Sequence, residues 1–459
     1  MREIILHDTR SGELRPLRPR DAGRVGIYAC GPTVYSRIHI GNARPFVLFS
    51  LMKRFLEHEG LRVTLVVNVT DVNDKIYIAA QAAGVPSERL AREMTAAYIA
   101  DTDALGIARP DHEPLASETM GEIVAYIQTL LDTGHAYTVS YDDAQDGPAR
   151  QDVLFRVRSD DAYGSLSHRQ LEDMDQGEGV EGAQRKEDPR DFALWKAQKP
   201  GEDAAWPSPW GPGRPGWHIE CSAMAESLLG VGFDVHGGGS DLVFPHHENE
   251  AAQTRAARGH ELAALWVHNG MIQLTGEKMA KSAGNIMLLH ELVEQVGREA
   301  VLMYLIGGHY RQPLAFSPDA LEQARANVNR IREAGRRLSP GESPAELDGL
   351  RNRFFVALAN DFNTPQALAA LNEWIREATG SAQTAPGDGH LREMLGVLGL
   401  ESLLDAAVQA PADVRDLAAQ RESARAERDF AAADRLRDEI TAAGWEVRDA
   451  AGGFELLPL

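Results

Sequence analysis

The chain has 459 residues, of which 43% are apolar and 25% charged, and its formal net charge is -21. This length exceeds the size at which a single hydrophobic core keeps growing, so we expect two or three domains in a globular protein. The negative charge argues against nonspecific binding to polyanions, and a contact with RNA would need a local basic face.

The cysteine content and the pattern of apolar residues indicate where in the cell the protein is located. Two cysteines in so long a chain argue against a disulfide framework and for a reducing cytosol. The first ten residues, MREIILHDTR, lack the pattern of a signal peptide, and no apolar run is long enough to span a bilayer. We therefore expect a cytoplasmic protein without membrane contacts.

The N-terminal pattern predicts a parallel βαβ unit. Residues 24–29 favour a strand, and a helix follows over 41–60, where apolar residues recur at helical spacing and Gly60 ends the helix. Residues 62–69 form a β-branched run that is typical of a strand covered on both faces. Strand, helix and strand in this order predict a doubly wound parallel sheet.

The second half of this sheet returns after a long insertion, roughly 81–216. Residues 233–236 predict a strand before a GGGS loop, Pro245 and Gly259 delimit one predicted helix, and 266–273 predict another strand. Within the insertion we expect helices at 87–105 and 117–132, strands near 137–141 and 153–157, and a loop at 206–216 whose tryptophans pack down.

From residue 317 onward the pattern predicts helices only, followed by a small cap. The predicted helices cover 318–338, 350–358, 364–379, 390–398 and 414–443, and the cap is a hairpin over 445–457. The predicted fold class is therefore α/β: a doubly wound parallel, Rossmann-like domain over 1–317 with an α+β insertion, followed by an all-α C-terminal domain over 318–459.

Four side chains combine into a candidate metal site. His246 and Glu250 are four apart on a predicted helix, hence on one face, and Cys221 lies a short way upstream. Imidazole, carboxylate and thiolate are all zinc ligands, and these three residues would leave a tetrahedral site one ligand short. The only other cysteine, Cys30, would close it. The alternative is that both cysteines are small buried apolar residues and that the helix carries a surface pair.

Two short motifs predict contacts with phosphate. The letters HIGN at 39–42 stand where the first strand and turn enter the first helix, and helix N-termini attract phosphate. The letters KMAKS at 278–282 carry two lysines that can close over a triphosphate and neutralise its charge. Each motif alone is also typical of an ordinary turn or of a solvated basic loop.

A third candidate surface is basic. Four arginines at i, i+4, i+7 and i+14 would share one face of the helix predicted over 414–443 and could contact RNA phosphates there. They are Arg421, Arg425, Arg428 and Arg435. Acidic residues alternate with them, so a merely solvated helix is the alternative.

Together the motifs resemble the class I aminoacyl-tRNA synthetases. That family carries HIGH and KMSKS signatures, which HIGN and KMAKS match here, and an all-α tail follows. The blocks CGPTVY, NVTDVNDK, WPSPWG, GRPGWHIECSAM and HGGGSDLVFPHHENE make the whole chain similar to the bacterial cysteinyl-tRNA synthetases. Two positions depart from the pattern, because Asn42 stands for the last histidine of HIGH and Ala280 for the serine of KMSKS. We expect ATP binding to survive both changes.

The resemblance implies a cysteine--tRNA ligase with ATP, L-cysteine and tRNA(Cys) as partners, acting as a monomer. It implies Mg2+ with ATP and one zinc ion per chain that takes the substrate thiolate. The implied zinc ligands are Cys30, Cys221, His246 and Glu250. The implied cysteine-binding residues are Gly31, Thr70, Trp217, His236 and Asp241. The implied ATP-binding residues are His39, Gly41, Asn42, Lys278, Lys281 and Ser282, and catalysis is implied for His39, Asn42, Lys278 and Lys281.

The resemblance also divides the chain by role. Residues 1–317 would be catalytic, with a signature loop at 278–282 and a stem-contact region up to 317, and residues 318–459 would bind the anticodon. Two other functions stay open. A related ligase that passes cysteine to an aminosugar would lack the full helical tail, and a noncatalytic zinc protein that binds RNA would not need His39, Lys278 and Lys281.

Overall fold

The computed structural model of the protein describes residues 1–141, 150–171, 174, 185–274, 277–278, 287–380, 385–405, 410–450 and 453–458. The chain first forms β1 (Ile5–Asp8), β2 (Glu13–Pro16), β3 (Arg24–Ala29), α1 (Ile40–His58), β4 (Arg62–Val67), α2 (Asp74–Ala83), α3 (Ser87–Leu105), α4 (Met120–Asp132), β5 (Ala136–Ser140), β6 (Gln151–Phe155), β7 (Phe192–Ala197) and β8 (Gly213–Pro215).

The remaining elements complete the sheet and form the helical tail. They are α5 (Trp217–Leu229), β9 (Phe233–Gly239), α6 (Glu248–Arg258), β10 (Ala263–Asn269), β11 (Ile272–Leu274), β12 (Glu277–Lys278), α7 (Leu289–Val296), α8 (Arg298–Ile306), β13 (Leu314–Phe316), α9 (Pro318–Arg336), α10 (Asp348–Ala359), α11 (Thr364–Gly380), α12 (Gly389–Leu398), α13 (Ala412–Ala426), α14 (Phe430–Ala442), β14 (Trp445–Ala450) and β15 (Gly453–Pro458). In the described part of the chain, none of the helices combines the length and apolar content that crossing a membrane requires.

A four-stranded parallel sheet in the order β10-β9-β3-β4 is the centre of the fold. Strand β3 pairs with β4 from Arg24↔Arg62 to Ala29↔Val67, and with β9 up to Ala29↔Gly237. Because β4 and β9 lie on opposite sides of β3, the carboxyl ends of β3 and β9 flank the crevice where open α/β sheets bind ligands. The predicted doubly wound parallel sheet is confirmed.

Both faces of this sheet are covered. Ile27 and Tyr28 are adjacent in β3 and fully buried, yet they belong to two different hydrophobic clusters. One cluster contains the apolar residues of α1, and the other contains Cys221 of α5. The outer edge of β4 is covered as well, since the Val67 N–H donates to the His112 carbonyl at 3.0 Å. The β-branched run therefore lies in an enclosed strand, as its composition predicts.

Two of the differences between predicted and observed strand boundaries lie at close backbone approaches. Strand β9 runs through Gly239 instead of ending before the glycines, and a side chain at Gly237 would lie 2.2 Å from the Val267 carbonyl oxygen. The strand predicted over 266–273 is divided between β10 and β11 at Gly270. A Cβ at that glycine would come within 2.5 Å of the backbone of the neighbouring segment at residue 312.

The helix predicted between Pro245 and Gly259 begins differently from an ordinary α-helix. The chain is kinked just before it, because Phe244 has the extended angles φ -139° and ψ 132°. His247 already has helical angles, φ -71° and ψ -31°, and the regular α-helix α6 begins at the next residue. The predicted end is confirmed, since Gly259 follows α6 with φ 67°.

The insertion has its own antiparallel sheet, in the order β5-β6-β7-β8, and its core also contains Ile219, Ala223 and Ala252 of α5 and α6. Phe155, Phe192 and Trp195 are fully buried there. The prediction misses β7, and it takes residues 206–216 as irregular although they include β8. The expected packing of this loop is confirmed, because Trp210 is buried in the same core.

The helical tail starts where the pattern predicts but divides where it does not. The Ser317 hydroxyl accepts from the Ala320 N–H at 3.2 Å and so caps α9. The single helix predicted over 414–443 is wrong. Arg428 has φ 63°, and the Asp429 carboxylate caps α14 by accepting from a backbone N–H at 3.0 Å. This turn needs only one residue and one capping side chain, so the apolar periodicity of the sequence continues across it and gives no sign of the break. The predicted hairpin is confirmed as β14 and β15.

Replacing Arg428 by glycine tests the left-handed turn between α13 and α14. Glycine adopts positive φ without a Cβ penalty, so Arg428→Gly should stabilise this helix pair by about 0.5 kcal/mol. Ala419→Gly is the matched control, because it places glycine at an exposed position inside α13 and should destabilise the pair by about 1 kcal/mol. Amide hydrogen exchange in α13 and α14 of the full chain measures both changes. Faster exchange in Arg428→Gly would contradict the turn.

Candidate metal centre and ligand site

Four donors from distant parts of the chain meet at the carboxyl edge of the central sheet. We call Cys30, Cys221, His246 and Glu250 the first donor set. One ligand atom from each lies within 4.8 Å of the others, and all four residues are buried. The Cys30 sulfur is 3.8 Å from that of Cys221, 3.4 Å from His246 Nε2 and 3.6 Å from Glu250 Oε1.

The fold brings these donors together through the switch point of the sheet. Cys30 directly follows β3, and its N–H donates to the Gly237 carbonyl of β9 at 3.0 Å. Cys221 lies in α5, which packs over the same face. The helical spacing predicted for His246 and Glu250 holds in spite of the kink at Phe244, since His246 Nε2 lies 3.0 Å from Glu250 Oε1.

Burial sets the protonation of these donors. Desolvation raises the pKa of the Cys30 and Cys221 thiols and raises the pKa of Glu250 to about 7. Desolvation also lowers the pKa of His246 to about 3, so its ring is neutral and can offer a lone pair. A bound dication would favour the thiolates and the carboxylate in place of the protons. Two sulfurs, one imidazole and one carboxylate therefore fit zinc by donor type and number.

A group of histidines that the sequence analysis passes over surrounds the first donor set. His218 Nδ1 lies 3.0 Å from His246 Nδ1, and His247 Nε2 lies 3.2 Å from the Cys30 sulfur. His268 is also buried, and burial lowers the pKa of all three of these additional rings, so they are neutral. The one available sequence signal is the doubled histidine at 246–247, and nothing local in the sequence indicates the other two.

The residues implied for cysteine binding do not all lie together. Asn68 joins two of them, since its Oδ1 accepts from the Gly31 N–H at 2.9 Å and its Nδ2 donates to Thr70 Oγ1 at 3.3 Å. The Trp217 ring stacks on His246 with centroids 4.2 Å apart. Asn68 is a further residue that the sequence analysis misses, although it stands inside the block NVTDVNDK.

The other two implied residues differ in exposure. His236 is fully buried, and its Nε2 lies 2.8 Å from Glu250 Oε2, so it contacts the first donor set directly. Asp241 is exposed in the turn that follows β9. Its carboxylate lies over the end of that strand, within 2.4 Å of where a Cβ at Gly239 would stand.

The HIGN motif lies at the N-terminus of α1. His39 is the N-cap residue, and its N–H donates to Asn42 Oδ1 at 3.1 Å. A Cβ at Gly41 would come within 2.8 Å of the His39 ring, so only glycine allows this ring position. Asn42 thus holds the helix terminus at the position where the family signature has histidine, which gives this departure a structural role.

The segment at residues 287 and 288 contacts the HIGN motif through the backbone. His39 forms a β-bridge with Leu288, and the Ile40 N–H donates to the Met287 carbonyl at 3.2 Å. Residues 287 and 288 follow the KMAKS motif closely along the chain. Lys278 ends β12, whereas Ala280, Lys281 and Ser282 lie outside the described residues.

The arginine surface is different from the predicted one. Because the chain reverses between α13 and α14, Arg435 cannot share one helix face with Arg421 and Arg425. Arg421 is buried, and Asp449 of the hairpin accepts hydrogen bonds from both Arg421 and Arg425. The prediction of a common face is wrong because it assumed one continuous helix.

Comparisons with known proteins agree with these features. The family model described as the catalytic domain of class I (C) tRNA synthetases matches residues 16–326, and the DALR domain model matches residues 353–402. The Cysteine--tRNA ligase of Alkalilimnicola ehrlichii is 45% identical, and that of Chromohalobacter salexigens is 44% identical. Each alignment covers 98% of this chain and 98% of the relative.

Solved structures share the fold at low sequence identity. The Mycobacterium tuberculosis methionyl-tRNA synthetase in complex with methionyl-adenylate has a TM-score of 0.59 at 18% identity, covering 83% of this chain and 89% of the other. The LeuRS of Agrobacterium radiobacter K84, in a ternary complex with tRNA and LeuAMS, has a TM-score of 0.62 at 11% identity, covering 84% and 85%. These likenesses support the Rossmann-like architecture alone.

A catalytic-domain model that spans about two thirds of the chain defines the class of protein as a class I aminoacyl-tRNA synthetase. The fold at the switch point and the HIGN motif at the start of α1 agree with that class. Identity above 40% along nearly the whole length of the relatives narrows the assignment. The chain belongs to the family of the cysteine--tRNA ligases.

Gly31 leaves no room for a side chain beside the first donor set. A Cβ there would lie 1.7 Å from the Asn68 carbonyl oxygen, so Gly31→Ala has to displace the backbone next to Cys30. We expect this variant to lose metal affinity by about tenfold or more, measured as the metal retained after dialysis against a chelator. Gly121→Ala in α4 is the control, because a Cβ there meets nothing within 4 Å. Wild-type retention in Gly31→Ala would show that the close approach is unimportant.

Proposed function

We propose that the chain activates L-cysteine with ATP and transfers it to the 3′ end of tRNA(Cys), with the first donor set holding a zinc ion that identifies the amino acid. The observation that carries this proposal is the buried convergence of Cys30, Cys221, His246 and Glu250. Family membership supports the overall reaction, and the donor chemistry supports the role of the metal.

Selection of cysteine over serine follows from the donor chemistry. Zinc supplies a soft point of attachment for a thiolate, whereas a serine hydroxyl stays protonated and binds poorly. A site built to bond one group can reject an analogue that lacks the group by about 10⁴–10⁵. Gly31 and Thr70, joined by Asn68, and the Trp217 ring stand beside the donors and would surround the bound amino acid.

Activation is proposed at the start of α1. A cysteine carboxylate oxygen attacks the α-phosphorus of ATP, and pyrophosphate leaves with the electrons of the broken P–O bond. His39 and the backbone N–H groups near Gly41 would hold phosphate oxygens, with Mg2+ accompanying ATP. Lys278, Lys281 and Ser282 would close over the triphosphate and neutralise its charge. The β-bridge between His39 and Leu288 supports this arrangement, because it fixes the segment that follows the signature loop.

Transfer to RNA completes the proposed reaction. A ribose hydroxyl of the terminal adenosine attacks the carbonyl carbon of cysteinyl-adenylate, and AMP leaves. We assign catalysis to residues 1–317, with the stem contact ending near 317, and anticodon binding to residues 318–459, in a monomer. Arg421, Arg425, Arg428 and Arg435 stay candidates for tRNA contacts. Arg428 and Arg435 are exposed, whereas Arg421 is buried against Asp449 and would contribute less.

Two assays on the full chain test the proposed function. Exchange of pyrophosphate into ATP should depend on cysteine and on none of the other amino acids. Charging of tRNA should then exceed the transfer of cysteine to an aminosugar acceptor. Cysteine-dependent exchange with transfer only to the aminosugar would identify the related ligase, and no exchange with retained RNA binding would identify a noncatalytic protein. The helices that follow residue 317 and the C-terminal hairpin favour RNA as acceptor, because the related ligase would lack the full helical tail.

Removal of one thiolate tests the role of the first donor set. Cys221→Ser should lose tightly bound zinc and discrimination against serine, while ATP still binds, because the nucleotide residues lie elsewhere. Zinc retained against a competing chelator measures the first effect, and pyrophosphate exchange with cysteine and serine measures the second. Ser165→Ala, at an exposed hydroxyl in the insertion, serves as a control that should behave as the wild type. Full retention of zinc by Cys221→Ser would refute the ligand assignment.

A further inference from the structure

We propose that His236 and His247 form, with Cys30 and Glu250, a second metal site that shares two donors with the first. We call these four residues the second donor set. The proposal goes beyond the proposed function, which needs one ion only. The four residues are buried, and one ligand atom from each lies within 4.8 Å of the others. Among the described residues, the ligand atoms of this second group lie within the same distance of one another as those of the first donor set.

The two shared donors, Cys30 and Glu250, lie between the remaining donors of the first set and those of the second. Glu250 Oε1 lies 3.0 Å from His246 Nε2, while Glu250 Oε2 lies 2.8 Å from His236 Nε2. Each carboxylate oxygen is thus directed to a different set, as in a carboxylate that bridges two ions. The Cys30 sulfur lies between His246 Nε2 at 3.4 Å and His247 Nε2 at 3.2 Å, and a thiolate can bridge in the same way.

A chain of hydrogen bonds behind His247 fixes the orientation of its ring. His247 Nδ1 lies 2.7 Å from His268 Nε2, and His268 Nδ1 lies 2.7 Å from the Thr9 hydroxyl. If His247 donates through Nδ1 to His268, and His268 donates to Thr9, a lone pair on His247 Nε2 faces the sulfur. Metal-binding histidines usually have such an orienting partner on the other ring nitrogen. If the chain of donors runs in the opposite direction, His247 only donates a hydrogen bond to Cys30.

The net charge of the combined site is compatible with a second cation. Two thiolates and one carboxylate carry three negative charges, so one dication leaves a buried excess of one negative charge. A second dication changes that to an excess of one positive charge, which is no larger in magnitude. The second donor set offers one thiolate, one carboxylate and two neutral imidazoles, which suit zinc and cobalt. Burial keeps water from competing for these donors.

Metal binding by the full, tag-free chain tests the second donor set. Protein stripped with a chelator is titrated with Co2+, whose absorption reports thiolate ligands, and bound Zn2+ is counted in parallel. We expect two ions per chain, with the second bound about tenfold or more weakly because two nearby dications repel. His247→Gln should bind one ion tightly, since an amide can still donate a hydrogen bond to the sulfur but does not replace imidazole as a ligand.

Two further variants separate the sites. Cys221→Ser should lose the tight ion but keep a weaker one whose Co2+ spectrum reports a single thiolate. His260→Gln removes an exposed histidine as a control and should bind two ions, as the wild type does. One ion in the wild type, two ions in His247→Gln, or loss of the second ion in His260→Gln would overturn the second donor set and leave the proposed function standing. A tight ion in Cys221→Ser would instead overturn the first donor set.

Discussion

The burial of ionisable donors at the switch point of the sheet is the constraint on which the rest of the structure depends. Cys30, Cys221 and Glu250 lie where desolvation favours their neutral forms. A cation beside them would favour their charged forms, so metal binding would be linked to the release of protons. Burial also keeps the rings of His218, His246, His247 and His268 neutral, so no protonated ring would repel a bound metal.

Local and compositional clues in the sequence single out the four residues that the structure brings together as the first donor set. Helical spacing relates His246 to Glu250, and the scarcity of cysteine selects Cys30 and Cys221 without any knowledge of the fold. The same reasoning cannot find Asn68 or His268, since their roles arise from contacts with residues 31 and 9, which are remote along the chain. A buried histidine has no sequence pattern of its own, and only the folded sheet brings it to the site.

The bounds of helices and strands can likewise be predicted where local sequence determines them, and not where a single backbone angle does. Strand β3 matches its predicted bounds because its apolar pattern is local, and helix α3 matches its predicted bounds because Pro86 precedes it and the left-handed Gly106 ends it. The break at Arg428 escapes prediction, since it takes one backbone angle and one capping carboxylate. The departures from the family signature are also easier to interpret with the structure. Asn42 gives up the imidazole of the signature and caps its own helix, so the backbone that would meet phosphate keeps its shape.

The order of the strands has a consequence for the chain as it is synthesised. Strand β3 and Cys30 emerge early, but their neighbour β9 and the donors of α5 and α6 follow only after the whole insertion has been made. Until then one edge of β3 and the face of Tyr28 have no partner from the later segments, and the core of the insertion still lacks Ile219, Ala223 and Ala252 of α5 and α6. The first donor set is therefore among the last parts of the fold to be completed on the ribosome, and a nascent chain halted before residue 250 lacks one of its four donors.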